Sequence, residues 1–298
     1  MLSIALNKSK KANCVAVATQ KEKNKGKGFN KVVIYAVFIL FTILTVFPLI
    51  WLFYSSFKPF VEIVRNALAL PMHPTINNYI QAIKLGKLDL YMINSVIYTT
   101  VSTALTIILS MMASFAFAKI NNRATNFLYS LFLVGLLITI QAILIPLFIV
   151  GSRLKLTDTR FGIILIYVAI NLPLAVYLAT EYIKRIPDSL IEAAEIEGAN
   201  YSTIFIRIIL PMCKPVITTI LILTSFACWN EFMLAFIFTA TDRTRSLPVG
   251  IYSFSGPLAS EYGMQFAALI IGIIPMITLY AIFSKQITSG FATGAVKG

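Results

Sequence analysis

The sequence predicts an all-α membrane protein with six transmembrane helices and a cytoplasmic helix–turn–helix coupling loop. Three observations predict it. The chain of 298 residues is 58% hydrophobic and only 12% charged, whereas soluble domains are usually about 25% charged. It contains apolar stretches of about 20 residues, the length that crosses a bilayer as a helix. One long polar loop between two such stretches carries helix-start and helix-stop signals.

The composition excludes several other classes of protein. The net charge is +13, but so few charges cannot cover a water-facing globule, and we expect no nucleic-acid partner. The cysteines at 14, 213 and 228 lie far apart and the only histidine is His73, so we expect no disulfide, metal site or catalytic triad. No GxxxxGK[ST] phosphate loop occurs, so the chain is expected to be neither an ATPase nor another enzyme, and to hold no cofactor.

Residues 1–31 form a basic arm with eight lysines and a single acid, Glu22. Since this arm shows no apolar periodicity after Ala18, we predict a disordered cytoplasmic segment. Its lysines act as a topology signal and can rest on anionic lipid headgroups. No small-residue cleavage site follows the next apolar stretch, so we expect no processing.

The rest of the chain divides into membrane-spanning and connecting parts. We predict transmembrane helix 1 at 32–57, an extracellular loop at 58–90, a transmembrane importer core with helices 2–6 at 91–285 and a cytoplasmic tail at 286–298. The apolar stretches that define the spans are Val32–Phe53, Tyr91–Ala118, Phe127–Ser152, Phe161–Thr180, Val216–Thr241 and Gly263–Ser284. Six crossings place both termini on the same side of the membrane. The distribution of lysines and arginines predicts that this side is the cytoplasm, although the basic arm alone supplies the excess of positive charge. We therefore expect a multi-pass protein of the bacterial plasma membrane.

Prolines and small residues mark features inside the spans. We expect interior prolines to bend their helices; they are Pro48, Pro146, Pro173 and Pro275. Small residues at four-residue spacing let helices approach closely; they are Ser110, Ser114 and Ala118 in the second span and Ala268 and Gly272 in the sixth.

The loop at 181–215 carries local signals for two short helices. Pro187 ends the preceding helix. Ser189 and Glu192 have the spacing of a capping box, which predicts a new helix from about Leu190. Gly198 stands where a left-handed C-terminal cap is expected.

A second short helix follows the glycine turn. Asn200 is its predicted cap, its apolar residues share one face, and Pro211 stops or bends it. Those apolar residues are Ile204, Phe205, Ile208 and Ile209. A short stiff helix with small surface residues can dock on a soluble partner and pass that partner's movement to the flanking spans. On spacing alone, an ordinary interfacial helix pair with Glu192 as a mere cap is an equal alternative.

The same loop resembles the cytoplasmic signature of permease subunits of bacterial ATP-binding-cassette importers. That signature is Glu-Ala-Ala, three residues, Gly, nine residues and Ile-x-Leu-Pro. The matching residues are Glu192, Ala193, Ala194, Gly198, Ile208, Leu210 and Pro211. The resemblance implies that the loop docks in a cleft of an ATPase subunit and couples ATP hydrolysis to movement of the gate.

Two shorter stretches are similar to carbohydrate importers. Trp229-Asn230-Glu231-Phe232 resembles a segment of carbohydrate-importer permeases. The ending with Gly290, Gly294 and Gly298 is similar to the tail of the second permease of maltose-type systems, which reaches the ATPase dimer interface. The resemblance covers residues 30–298 and implies five kinds of contact: a second permease, two ATPase subunits, an extracellular solute-binding protein, a sugar substrate and membrane lipid.

An acid inside a membrane span is a functional hypothesis by default, because placing it there is costly. Glu231 could line the sugar path, with Trp229 as a stacking face and Asn230 as a hydrogen-bonding group. The alternative that we favour is a polar contact between helices or subunits near the outer end of the span.

These observations predict a permease subunit of an ATP-driven importer that translocates sugars, with oligosaccharides as the first choice, by alternating access. Three alternatives stay open. The same machine could carry a phosphorylated polyol or an amino sugar. An ion-driven secondary transporter would need several buried ionisable groups, and the spans offer only Glu231. A membrane scaffold or receptor would leave the complete loop motif unexplained.

Overall fold

The structure, a computed structural model, describes residues 31, 33–120, 122–255 and 261–295, with side chains up to residue 283. The basic arm predicted at 1–31 therefore lies, except for Lys31, outside the described residues. The regular elements of the described part are helices. In chain order they are α1 (Val33–Ser55), α2 (Phe60–Arg65), α3 (Asn77–Lys84), α4 (Leu88–Lys119), α5 (Arg123–Leu137), α6 (Ile140–Arg153), α7 (Arg160–Ile183), α8 (Ser189–Ile196), α9 (Tyr201–Ile204), a π-helical turn (Phe205–Ile209), α10 (Leu210–Met212), α11 (Lys214–Asn230), α12 (Met233–Phe238), α13 (Leu247–Ser253) and α14 (Tyr262–Ala295).

Four of the described helices are long and apolar enough to cross a membrane alone, namely α1, α4, α7 and the first 22 residues of α14. Two bent pairs raise this number to six if each pair forms one span: α5 with α6, bent by 111°, and the Tyr201–Met212 segment with α11, bent by 74°. The multi-pass all-α fold predicted from the sequence is therefore confirmed.

The two sharp breaks, of 111° and 74°, do not lie at the four interior prolines, and the smaller bends expected at those prolines stay a prediction. Pro146, Pro173 and Pro275 lie inside continuous helices. The sharp break in the third predicted span comes instead at Ile138 and Thr139, which both adopt extended backbone conformations. β-Branched residues such as Ile138 and Thr139 adopt extended backbone readily, and hydropathy does not register such a break. The stretch at 127–152 is therefore two helices rather than one.

Helix α4 lies at the centre of the bundle and packs against α3, α5, α7, α11 and α13. Its face toward α7 carries small polar residues at four-residue spacing. They are Ser102, Thr106, Ser110 and Ser114, each fully buried. The Ser114 hydroxyl donates to the carbonyl of Val176 in α7 at 3.0 Å. The predicted role of Ser110 and Ser114 in close helix packing is confirmed.

Buried apolar side chains gather at both ends of the bundle. We call the end that contains α8 the inner end and the opposite one the outer end. The inner cluster joins α4, α7 and α11 to the 181–215 loop through Ile191, Ala194, Ile204 and Ile209. The outer cluster joins α3, α4, α11, α13 and α14. The chain segment after α7 is thus part of the folded core.

Helix α1 stands apart from the other helices, and its most apolar window has no buried residue. It is attached near its C-terminal end, where the Trp51 indole donates to the Ala67 carbonyl at 2.8 Å and lies 5.2 Å from the Phe266 ring. The predicted outer loop at 58–90 contains α2 and α3 and ends in the first residues of α4. The free sides of α1 are therefore left to lipid or to another chain.

Candidate coupling site and outer cleft

The start of α8 is tied to the inner end of α4. The predicted capping box is wrong, because Ser189 is already the first helical residue and Asp188 occupies the cap position without a side-chain cap bond. The Asp188 carboxylate instead accepts a hydrogen bond from the Lys119 ammonium at 2.6 Å. Lys119 is only 6% exposed and also donates to the Ile186 carbonyl at 2.7 Å. One buried cation thus holds the chain just before α8.

Helix α8 has one anchored face and one open face. Ile191 and Ala194 are buried in the inner cluster. Glu192 and Ala193 are exposed, and the Ile196 side chain is 88% exposed at the end of the helix. The open face therefore combines small, acidic and apolar groups on a helix that the core already holds in place.

Gly198 ends α8 in the left-handed conformation, with φ of +81°. The Ala199 amide donates to the Ala194 carbonyl at 2.9 Å, and the Gly198 amide donates to the Glu195 carbonyl at 2.9 Å. The left-handed cap predicted for Gly198 is therefore confirmed. A Cβ added there would meet no atom within 4 Å, so the backbone conformation, not a lack of space, favours glycine.

The second short helix begins as predicted and then changes pitch. The side-chain oxygen Oδ1 of Asn200 accepts from the Thr203 backbone amide at 2.8 Å, which confirms the predicted cap. The turn at Phe205–Ile209 is π-helical, so Ile204 and Ile209, five residues apart, face the same side and are both fully buried.

The remaining signature residues lie where the loop returns to the bundle. Ile208 and Leu210 pack partly buried against the inner cluster, and Pro211 is exposed within α10. The chain bends by 74° before α11 begins at Lys214. The signature therefore links α8, which is exposed on one face, to the start of α11, where Val216 is buried.

Trp229, Asn230 and Glu231 lie at the junction of α11 and α12 and have contacts of their own. Trp229 is 5% exposed, and its indole donates to the Gly272 carbonyl of α14 at 3.1 Å. The Glu231 carboxylate accepts from the amides of Leu234 at 3.0 Å and Ala235 at 3.1 Å. Glu231 thus ends one helix and caps the next, and the predicted fifth span at 216–241 is interrupted there.

A small cavity of about 370 Å³ lies beside this junction. Trp229 and Asn230 line it together with Phe232, Tyr252 and Gln265. The Asn230 amide donates to the Phe226 carbonyl at 2.9 Å. Whether these residues line a sugar path stays a prediction.

The C-terminal glycines fall near the end of the described chain. Helix α14 includes the backbone of Gly290 and Gly294. Gly298 lies outside the described residues. The ATPase contact that the resemblance implies for this tail remains a prediction.

The outer end holds a polar cleft that sequence reasoning missed. Its volume is about 1050 Å³, and we call it the outer cleft. Its polar and charged lining residues are Lys87, Asp158, Thr159, Arg160, Thr241, Asp242, Arg243 and Thr244. They come from three segments: the residue before α4, the chain that leads into α7 and includes its first residue, and the segment before α13.

Asp158 ties two of these segments together. Its Oδ1 accepts from the amides of Ala240 at 3.0 Å and Thr241 at 2.9 Å, and from the Thr244 hydroxyl. Burial raises the pKa of Asp158, but these hydrogen bonds outweigh burial and lower the pKa to about 2. The carboxylate therefore stays ionised at physiological pH and holds the 239–246 segment.

Asp242 forms the second centre of charge in the outer cleft. Lys87 donates to it at 2.5 Å, the Tyr91 hydroxyl at 2.9 Å and Arg245 at 3.2 Å. The hydrogen bond from Lys87, followed by that from Tyr91, lowers the pKa of Asp242. The same bond to Asp242 raises the pKa of Lys87. Both groups therefore keep their charges near neutral pH.

Helix α4 also holds the backbone of the segment at 239–246. The side-chain amide Nδ2 of Asn94 donates to the backbone carbonyls of Arg243 at 3.0 Å and Arg245 at 2.9 Å. The Tyr98 hydroxyl donates to the Thr244 carbonyl at 2.8 Å. Because these partners lie about 150 residues apart, no local sequence signal pairs them.

The long apolar helices define a multi-pass membrane protein whose inner end presents the anchored helix α8. The profile of the family described as "Binding-protein-dependent transport system inner membrane component" matches residues 106–290. The chain belongs to this family.

The chain is also similar to individual sugar-transport permeases and to a solved transporter. The chain is 36% identical over 267 residues to the multiple sugar-binding transport system permease protein MsmG of Streptococcus mutans, covering 88% of this chain and 96% of MsmG. It is 34% identical over 253 residues to the sulfoquinovosyl glycerol transport system permease protein SmoH of Agrobacterium fabrum, covering 85% and 89%. Its fold is similar to a chain of a bacterial ABC transporter that imports alginate, with a TM-score of 0.76, 22% identity and coverage of 85% and 95%.

Proposed function

We propose that this chain is one transmembrane subunit of an ATP-driven importer that translocates sugars, with oligosaccharides as the first substrate class, by alternating access. The observation that carries the proposal is α8, which is buried on one face in the inner cluster and exposed on the other. An anchored helix with an exposed apolar tip at Ile196 suits docking in a groove of a separate subunit. The names of MsmG and SmoH, both sugar-related permeases, support the substrate class.

The proposed mechanism moves three spans from one contact. ATP-driven closure of two separate ATPase subunits shifts α8. The Lys119–Asp188 ion pair transmits this shift to α4, the Pro187 turn transmits it to α7, and the bend before Lys214 transmits it to α11. Glu192, Ala193, Ala194 and Gly198 form the coupling contact, and the tail around Gly290 and Gly294 adds a second ATPase contact.

The expected assembly contains a second permease, two ATPase subunits and an extracellular solute-binding protein. A similar solved transporter, for alginate, was captured with a periplasmic protein carrying an alginate pentasaccharide, which supports the last of these partners. The inner end is then cytoplasmic, as are both termini, and the outer end faces the binding protein. Trp229, Asn230 and Glu231 remain proposed residues of the sugar path.

The decisive experiment is reconstitution of the assembled transporter in proteoliposomes with labelled oligosaccharide outside and ATP inside. We expect Gly198→Glu to abolish uptake and to uncouple ATP hydrolysis from the binding protein. Arg123→Glu, an exposed residue at the inner end in α5, is the control and should transport normally. Normal coupled uptake by Gly198→Glu contradicts the coupling assignment. Uptake that persists without ATP in an ion gradient favours the ion-driven alternative.

A further inference from the structure

Two arginines of the outer cleft have no acidic partner. The ion pairs at this end of the described chain are Lys87–Asp242 and Arg245–Asp242. Arg160 and Arg243 line the same cleft and are exposed, but neither forms an ion pair with a described residue. The other carboxylate of the cleft, Asp158, is occupied by the 239–246 segment. The cleft therefore presents a surplus of positive charge.

The backbone under both arginines is held by contacts that do not involve their side chains. Arg243 lies in the segment whose carbonyls accept from Asn94 and whose amides donate to Asp158. Arg160 is the first residue of α7, where the Thr159 hydroxyl caps the Gly162 amide at 3.0 Å. Charged groups on a fixed backbone lose less freedom when a partner binds, so this pair is organised in advance for recognition.

We infer that Arg160 and Arg243 form the docking contact for acidic side chains of the solute-binding protein. This inference rests on the proposed function and adds the surface and its chemistry. Guanidinium groups match carboxylates in a planar, two-bond geometry. Complementary charge of this kind speeds encounter and fixes the orientation of the partners.

The position of the cleft favours a protein over a lipid or a free sugar. Lipid phosphates form a flat layer around a membrane protein, whereas these arginines line a broad, open cleft of about 1050 Å³ that the surface of a protein can enter. A protein that docks there touches the 239–246 segment, which is bonded to α4 through Asn94 and Tyr98. The other end of α4 holds Asp188 before α8 through Lys119. One continuous helix therefore joins the proposed docking contact to the proposed coupling site.

The test uses the reconstituted transporter and the solute-binding protein that supports its uptake. ATP hydrolysis is measured against the concentration of this protein at low and high salt. We expect the double variant Arg160→Glu/Arg243→Glu to raise the half-saturating concentration about tenfold at low salt. The difference should shrink at about 1 M salt, where the screening length is roughly 3 Å.

A matched control separates the cleft from general charge effects. Arg153, at the end of α6, is exposed at the same end and does not line the cleft. Arg153→Glu should leave the half-saturating concentration within about twofold of wild type. The thermal unfolding of each assembled complex checks that the variants are folded. A lysine in place of one acid on the binding protein should restore the double variant, and such a rescue would support a direct contact.

Three outcomes would overturn the inference. If the double variant has the same half-saturating concentration as wild type, the docking contact is wrong, although the proposed function stands. If the double variant changes only how the uptake rate depends on the concentration of an acidic oligosaccharide, the cleft is a sugar-binding site instead. A wild-type transporter that no solute-binding protein stimulates would remove the proposed function together with this inference.

Discussion

At the residue scale, Gly198 shows how one backbone conformation sets the direction of a loop. Its φ of +81° lets α8 end with both capping hydrogen bonds in place and turns the chain toward Asn200. A residue with a Cβ has room there but disfavours the left-handed conformation, while asparagine tolerates it better than most. The loop geometry is therefore sensitive to residue type and insensitive to size.

Gly198→Ala and Gly198→Asn should separate these effects. We expect Gly198→Ala to destabilise the loop by about 1 kcal/mol and to reduce coupled ATP hydrolysis. Gly198→Asn should retain most of both, because asparagine adopts the left-handed conformation more readily. Thermal unfolding and stimulated ATPase rates of the assembled transporter provide the measurement. A larger loss in Gly198→Asn than in Gly198→Ala would show that side-chain size, not backbone strain, matters at this position.

Asp158 makes the outer end pH-dependent in an acidic range. Its pKa is lowered to about 2 from an ordinary value of 3.8, so its stabilising contribution is present in full above pH 4 and disappears as the pH falls toward 2. Asp158→Asn should lower stability at pH 7 by about 1 kcal/mol. The variant should also lose less stability than wild type between pH 4 and pH 2. Chemical unfolding across this range checks both statements, and parallel curves would contradict them.

At the element scale, hydrogen bonds and ion pairs between the ends of helices stabilise the fold. The buried Lys119 at the end of α4 contacts the turn between α7 and α8, and its partner Asp188 is 76% exposed. Water can therefore solvate Asp188 when the cation is removed, whereas Lys119 is left buried beside a single carbonyl when the acid is removed. Substitution of Asp188 should therefore lower the free energy of unfolding more than substitution of Lys119.

A double-mutant cycle tests this asymmetry. Asp188→Asn should destabilise the protein by about 1–2 kcal/mol, because it leaves a buried charge without its counter-charge. Lys119→Met should lose less than about 1 kcal/mol, and Lys119→Met/Asp188→Asn should resemble Lys119→Met alone. Unfolding free energies of the four proteins are the measurement. Additive losses would indicate that the ion pair does not couple α4 to α8.

Two local features of the 181–215 loop were predictable from neighbouring residues, although the capping box at Ser189 was not formed, and contacts between distant residues were not predictable. The cap at Asn200 and the left-handed turn at Gly198 follow from local backbone chemistry. The break at Ile138 shows no Gly or Pro and sits in an apolar stretch, so hydropathy conceals it. The outer cleft depends on Asp158 and Asp242 meeting partners more than 80 residues away. Such pairing is decided by tertiary packing, which a single sequence does not display.

At the scale of the whole molecule, the exposed face of α8 and the outer cleft carry opposite charges. The exposed face of α8 and its end hold Glu192, Glu195 and Glu197, none of which forms an ion pair in the described chain. The outer cleft instead has two unpaired arginines. Opposite charge on these two surfaces helps each to discriminate between soluble partners, because each surface repels a partner whose charge suits the other.

Labelling of single cysteines tests the orientation that this division implies. In a variant whose native cysteines are replaced by alanine, Ser152→Cys at the outer end and Ser202→Cys at the inner end each place a thiol at an exposed position. We expect a membrane-impermeant maleimide to label Ser152→Cys in intact cells, and Ser202→Cys only after the membrane is permeabilised. The reverse pattern would invert the proposed topology.

Helix α4 contains 32 residues without a proline, a length of about 48 Å. It holds Tyr91 and Asn94 against one loop and Lys119 against another. An added residue near its midpoint would rotate one end against the other by about 100° and turn Lys119 away from Asp188. The tolerance of α4 to insertions should therefore rise and fall with a period of about 3.6 residues, because the azimuth of its two ends, and not only their separation, must be preserved.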